Sequence, residues 1–271
     1  MTVPALPERY NVATILDNNL EAGRGDRVAV RGEGGEVTYE QLWASACAAG
    51  RALRALGVQR EQRVMLVLDD TPAFPAAFLG AIRAGIVPVP GNPLFKPDDY
   101  GYLVDDSDAR VVVVDLGLLP KVREALAGHP EPVQVVTVGG AEEGTHAFDE
   151  LLTEHAGELD PVRSHRDDAA FWLYSSGSTG RPKGVVHLHH DLPYTCQTYA
   201  TQVLGIREDD ICLSTTKLFH AYGLGNSLSF PFWVGATAVQ LRGRPVPERV
   251  FEAVERHRPT LFFSVPTLYN A

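Results

Sequence analysis

Cysteine is scarce in this chain: Cys47, Cys196 and Cys212 are the only three in 271 residues, and they are scattered. A disulfide scaffold needs more thiols at closer spacing, so that class is excluded, and free thiols fit a reducing cytoplasm. Positive charge is also short. Twenty-four Lys and Arg stand against 34 Asp and Glu, a formal net charge of −10. A surface of that sign repels phosphate backbones, so nucleic acid is not an expected partner. Long apolar runs are missing too. The stretch 72–95 comes nearest, but Arg83 and prolines at 72, 75, 88, 90 and 93 interrupt it, whereas a membrane helix needs about 18 apolar residues in a row. The opening MTVPALPERY has no apolar core of the secretory type. What remains is ordinary globular composition, 45% hydrophobic and 21% charged, in a chain long enough to bury a sizeable core without staples.

Between residues 38 and 138 helical and strand patterns alternate. Thr38 with Gln41 is a capping-box pair, each side chain able to satisfy the other's orphan backbone N–H. Leu42, Ala46, Ala49, Leu53 and Leu56 then form one apolar stripe, which Gly57 stops. RVMLVL (63–68) is a continuous apolar run, as a strand covered on both faces should be. Phe74, Ala77, Phe78, Ala81 and Ile82 form the next stripe, closed by Gly85. Strands at 110–114 and 133–138 follow, with a helix over 120–126 between them. This order predicts parallel βαβ units and an α/β sheet. Residues 139–168 read as exposed connection around a short helix at 148–155. Further strands are expected at 169–174, 211–214, 236–241 and 260–265. Helices are expected at 193–204 and from Pro247, the latter burying Val250 and Val254, and Pro266 opens one more.

The most informative segment is YSSGSTGRPKG (174–184). It follows an apolar strand, so it should emerge at the carboxyl edge of a sheet, where open α/β folds bind ligands. Gly177, Gly180 and Gly184 let the backbone curl. Ser175, Ser176, Ser178 and Thr179 offer hydroxyls, and Lys183 brings a positive charge fixed by Pro182. Together they make a nest for phosphate oxygens. It is not a Walker A loop, because the second glycine position holds Pro182 and Gly184 follows the lysine. A plain solvent-exposed turn is the alternative for Ser- and Gly-rich sequence, and the strand before it and the Pro-Lys-Gly ending argue against that.

A second segment, KLFHAYGLGN (217–226), sets His220, Ala221 and Tyr222 beside Gly223 and Gly225. A flat aromatic wall with little bulk suits a planar ring, and stacking on Tyr222 would add roughly 0.5–1.5 kcal/mol beyond area burial. Packing of a core turn is the competing reading for aromatics near glycine. His187, His189 and His190, followed by Asp191, are spaced by two and one and point in different directions, unlike the i, i+4 histidine pair of a helical zinc motif.

YSSGSTGRPKGVVH (174–187) resembles the signature of the adenylate-forming superfamily of acyl-CoA synthetases, peptide-synthetase adenylation domains and luciferases. The resemblance covers essentially the whole chain and includes GIVPVPGNP (85–93). KLF-x-AYGLGN is most similar to the benzoate-CoA ligases and their hydroxybenzoate relatives. It implies mostly parallel sheets flanked by helices in an αβαβα-like arrangement, with a first subdomain over 1–190 and part of a second over 191–271. It implies that Ser175, Ser176, Gly177, Ser178, Thr179, Gly180 and Lys183 embrace ATP, that Lys183 and Thr179 are catalytic, and that Thr179 helps hold Mg²⁺. His220, Ala221, Tyr222 and Gly223 would line the pocket for an aryl acid. His220 departs from the Phe frequent in benzoate ligases, which favours a hydroxyl- or amino-substituted ring. His189 would be structural. The acceptor thiol would be coenzyme A or the phosphopantetheine of an acyl carrier protein. The family's acidic Mg²⁺ ligand, ribose-binding Asp, hinge and adenylation Lys lie beyond Ala271, so a C-terminal domain is absent and little adenylation is expected from these residues alone.

Overall fold

The computed structural model describes residues 2–3, 5–175 and 180–270. In chain order its elements are α1 (Ile15–Glu21), β1 (Val28–Gly32), β2 (Gly35–Thr38), α2 (Tyr39–Ala55), β3 (Arg63–Val67), α3 (Ala73–Arg83), β4 (Val87–Pro90), α4 (Pro97–Ser107) and β5 (Ala109–Asp115). Then come α5 (Leu119–Leu126), β6 (Gln134–Val138), β7 (His146–Ala147), α6 (Phe148–Glu154), β8 (Ala169–Ser175), β9 (Lys183–Leu188) and α7 (Asp191–Thr195). The last part holds β10 (Ile211–Ser214), α8 (Ala221–Leu224), α9 (Phe230–Val234), β11 (Thr237–Val239), α10 (Pro247–His257), β12 (Leu261–Phe263) and α11 (Pro266–Tyr269). Helix α7 continues as a π-helical stretch over Cys196–Leu204, and a second one, Gly225–Ser229, joins α8 to α9.

One sheet runs β4-β3-β5-β6-β7 and is parallel throughout. Its strands alternate between two cores. Val64 and Leu66 of β3 and Val111 and Val113 of β5 face the main core, whereas Met65, Val67, Val112 and Val114 face a second core built with Tyr100, Leu103 and Val104 of α4 and Leu119 and Val122 of α5. Burial on both faces is why these strands read as unbroken apolar runs; each such side chain contributes about 1.5–3 kcal/mol. Pro88 and Pro90 lie in β4 at the sheet's edge, the place where a strand tolerates a missing N–H.

The other large sheet runs β12-β10-β11-β1-β2, parallel except for the β1–β2 pair, and it takes strands from both sides of residue 190. Its Val30 and Ala238 share the main core with α1, α2 and α3, and its Leu213 and Val239 pack on Val250 and Ala253 of α10. The layers are therefore α4 and α5, a sheet, α1 to α3, the second sheet, and α10. This is the αβαβα arrangement.

Local chemistry fixes the central layer. The hydroxyl of Thr38 accepts from the Gln41 amide at 3.2 Å, and the Gln41 side chain accepts from the Thr38 amide at 2.9 Å, starting α2 as its sequence predicts. Helices α2 and α3 touch backbone to backbone: a Cβ on Gly80 would stand 2.5 Å from the Ala46 carbonyl oxygen. The charge that breaks the apolar stretch, Arg83, is buried and forms a two-pronged pair with Asp17 at 2.6 and 2.8 Å. Trp43 donates to the same carboxylate at 3.0 Å.

Four sequence expectations change. Strand β8 does not join a parallel sheet; it pairs antiparallel with β9, so the serine- and glycine-rich segment links the arms of a hairpin instead of leading from strand to helix. Val185 and Val186 of β9 are both exposed, which hides the strand from a burial pattern. On α10 the buried partner of Val250 is Ala253, whereas Val254 is exposed. Residues 139–168 are not merely exposed connection: Leu159 and Ser164 are buried, and the Leu159 carbonyl accepts from Arg83. Strands β1 and β2 and helix α4 were not foreseen. In α4, aspartates at 98, 99, 105 and 106 mask an inward stripe of Tyr100, Leu103, Val104 and Ser107.

Candidate active site

The described part of the phosphate-loop motif is its two ends. Ser176, Gly177, Ser178 and Thr179 lie outside the described residues. Ser175 ends β8 and Lys183 begins β9, and the two are register partners across the antiparallel ladder. One pair inward, Tyr174 faces Gly184, whose missing side chain leaves room for the aromatic rings: a Cβ there would lie 3.2 Å from Trp172 and 3.4 Å from Tyr174. Gly180 has φ +124°, a conformation that favours glycine.

Helix α4 holds both ends. The Tyr174 hydroxyl donates to Asp106 at 2.6 Å, and the Tyr102 hydroxyl donates to the Pro182 carbonyl at 2.9 Å. Burial, reinforced by Asp106, pushes the Tyr174 phenol far above its ordinary value, so it is a permanent donor. The Arg181 guanidinium lies over the Tyr102 ring at 4.8 Å, a cation–π contact beside the loop. The backbone before Lys183 is thereby fixed while the exposed lysine itself projects from the strand start.

In the second segment His220 precedes α8 with extended backbone, and its carbonyl accepts from the Leu224 amide at 2.8 Å. His220, Ala221 and Tyr222 are all exposed, Tyr222 by 45%. The His220 ring lies 4.2 Å from that of Phe219, and burial of part of the imidazole lowers its pKa. Burial and the neighbouring Tyr199 raise the Tyr222 phenol, keeping it protonated at neutral pH. Gly223 is buried, and the space beside it is filled by protein: a Cβ would fall 2.1 Å from the Lys217 carbonyl and 2.3 Å from that of Thr216. Its smallness lets α8 sit directly on the preceding turn.

Three functional candidates escaped the sequence reading. The Lys217 ammonium reaches back to Asp69 at 2.7 Å and Asp70 at 3.7 Å, just past the end of β3. The amide of Leu218 donates to Asp70 at 3.1 Å. The adjacent Asp69-Asp70 pair following an apolar strand was the available signal; its partner lies 148 residues away.

The histidines at the end of β9 and just beyond it are brought to different partners. His187 stacks on Phe171, with ring centroids 4.6 Å apart, and donates to Asp191 at 3.1 Å. His190 pairs with Asp167 at 3.0 Å. His189 is buried, and its Nδ1 accepts from the Val12 amide at 3.1 Å. Among the described residues no three His, Cys, Asp or Glu side chains converge as a metal site.

Two mostly parallel sheets, a Ser/Gly/Lys loop held at both ends, and an aromatic segment following an inner strand define an adenylate-forming type of domain. The family of AMP-binding enzymes matches residues 17–271, and the chain belongs to it. It is 47% identical to the benzoate–CoA ligase of Thauera aromatica over 99% of this chain and 51% of that protein. A solved benzoate CoA ligase from Burkholderia xenovorans LB400 superposes with a TM-score of 0.89 at 42% identity, over 96% of this chain and 51% of that one. The anthranilate CoA ligase AuaEII, solved with anthranoyl-AMP, superposes with a TM-score of 0.96 at 35% identity, over 99% and 52%. The chain spans about half the length of the curated relatives it matches.

Proposed function

We propose that this chain supplies the nucleotide grip and the acyl pocket of an AMP-forming ligase that activates benzoate or a substituted benzoate and passes it to a thiol. The observation that carries the proposal is the joint presence of a phosphate-type loop, whose flanks are tied down by α4, and a segment of His220, Ala221 and Tyr222 in a chain whose relatives are named for aryl acids.

The chemical obstacle is electrostatic, since a carboxylate must approach a polyphosphate. A carboxylate oxygen bonds to the α-phosphorus of ATP, the bond from that phosphorus to the β-phosphate oxygen breaks, and pyrophosphate leaves. Lys183 would hold its ammonium against the phosphates as negative charge builds on the departing group, with Ser175 and the loop donors around Gly180 beside it; fixed donors of this kind are the largest lever available to such chemistry. Mg²⁺, if held with the help of Thr179, would neutralise part of the triphosphate. Tyr222 would flank the ring, with Ala221 leaving room for it and His220 offering a polar contact to a hydroxyl or amino substituent. A thiol, of coenzyme A or of a carrier protein, then attacks the acyl carbon and AMP leaves.

The test is ATP–pyrophosphate exchange by this chain extended with the half-length its relatives carry beyond it. Benzoate, hydroxy- and aminobenzoates and acetate are compared. Ring acids should be preferred by more than about tenfold, about 1.4 kcal/mol. Equal rates with acetate would overturn the aryl assignment. Calorimetric binding of ATP and benzoate with no exchange would favour a non-catalytic module. Supplying coenzyme A or a carrier protein that bears a free phosphopantetheine thiol then separates the two acceptors.

A further inference from the structure

We propose that Asp70 and Lys217 are positioning residues that set the His220–Tyr222 segment from the neighbouring sheet, a role that rests on the aryl-ligase reading above. Asp69 and Asp70 follow β3, an inner strand of the first sheet, and Lys217 follows β10 of the second. The carboxyl ends of two parallel sheets are thus joined by one ammonium. Lys217 Nζ lies 2.7 Å from Asp69 and 3.7 Å from Asp70, and also donates to the Leu241 carbonyl. Asp69 accepts from the Gly243 amide as well, and its own amide donates to Asp115 at 2.7 Å.

The lock acts directly on the backbone that carries the acyl segment. Asp70 accepts the Leu218 amide at 3.1 Å, the His220 amide donates to the Lys217 carbonyl at 3.0 Å, and that carbonyl is the atom against which Gly223 packs. A shift of Lys217 therefore turns the start of α8, and His220, Ala221 and Tyr222 with it.

Burial separates this arrangement from a surface ion pair. Asp70 is 3% exposed, and the side chains of Asp69 and Lys217 are 18% and 16% exposed. Taking such charges from water costs enough that well-packed apolar residues commonly hold a core as well or better. What the charged set adds is a unique geometry, because an ammonium between two carboxylates and a carbonyl has one satisfactory place. Burial also raises Asp70 to about 6 against the pull of Lys217, which marks the site as constrained for placement at some expense of ionisation.

The test uses Lys217→Met, Lys217→Arg and Asp70→Asn in the extended chain of the exchange assay, with amide hydrogen exchange on the 271-residue chain. Lys217→Met and Asp70→Asn should raise the KM for the aryl acid about tenfold while the KM for ATP stays within about twofold, and Lys217→Arg should restore most of the loss. In the short chain, Lys217→Met should speed exchange at the Leu218 and His220 amides about tenfold with β3 and β5 unaffected. An aryl-acid KM that does not move, or an equal rise in the KM for ATP, would overturn the proposal. If Lys217→Met does not fold, Asp70→Asn and Lys217→Arg carry the same comparison. Should the unsubstituted protein show no aryl-dependent exchange, the functional reading fails; the amide data alone then decide, and unchanged protection at Leu218 and His220 refutes the lock.

Discussion

Tyr102 of α4 and Pro182 are joined by a 2.9 Å hydrogen bond from phenol to carbonyl, immediately before Lys183. A second bond from the same helix, Asp106 to the Tyr174 hydroxyl, holds the other arm of the hairpin. Removing one neutral hydrogen bond costs about 1 kcal/mol. Tyr102→Phe should therefore weaken ATP binding about fivefold and leave benzoate binding unchanged, measured by titration calorimetry. Equal weakening of both ligands would mean that the substitution loosens the whole domain.

Lys183 and Arg181 are the described cations of the loop, and Arg181 is engaged over the Tyr102 ring. Lys183→Ala in the extended chain should slow acyl-adenylate formation by on the order of 10²-fold, the usual effect of losing one preorganised donor. Single-turnover formation of the adenylate is the measurement. An unchanged rate would make this lysine a surface charge and remove the main support for the nucleotide grip.

Much of this architecture is legible without coordinates, for a physical reason. Strands β3 and β5 are covered on both faces, so their apolar runs are continuous, and α2 declares its start through Thr38 and Gln41. Where a pattern is written by partners elsewhere in the chain, reading fails. Strand β9 exists because β8 lies beside it, not because Val185 and Val186 are buried. The four aspartates of α4 conceal the helix that ties down the loop. The phosphate and acyl motifs are visible as strings, but the contact of Lys217 with Asp69 spans 148 residues, and the adjacent pair of aspartates does not by itself name its distant partner.

Gly223 offers a steric check on the acyl segment. Its missing Cβ would lie 2.1 Å from the Lys217 carbonyl oxygen, and backbone on both sides leaves little room to yield. Gly223→Ala should destabilise the chain by about 3 kcal/mol or more, in the range of severe packing errors. Urea unfolding measures it. A loss below about 1 kcal/mol would show that α8 slides easily on the Thr216–Lys217 turn, which would also weaken the case for a rigidly placed Tyr222.

Acid stability should report on His189. Its imidazole is buried with Nδ1 accepting from Val12, and burial lowers its pKa to about 4. Above about pH 6.5 the ring is neutral in both states and costs nothing. As pH falls from about 6.5 to about 4 the unfolded chain takes up a proton that the native state refuses, so stability is lost across that window, on the order of 3 kcal/mol when complete. Asp70, raised to about 6, has the opposite sign, because the native state protonates first and gains stability as pH falls. The single variant separates the two effects. His189→Asn should be less stable than the unsubstituted chain at pH 7, and the difference should shrink by about 2–3 kcal/mol by pH 4.5 in urea titrations. A difference that stays constant with pH would mean that His189 titrates alike folded and unfolded, and that its burial carries no electrostatic cost.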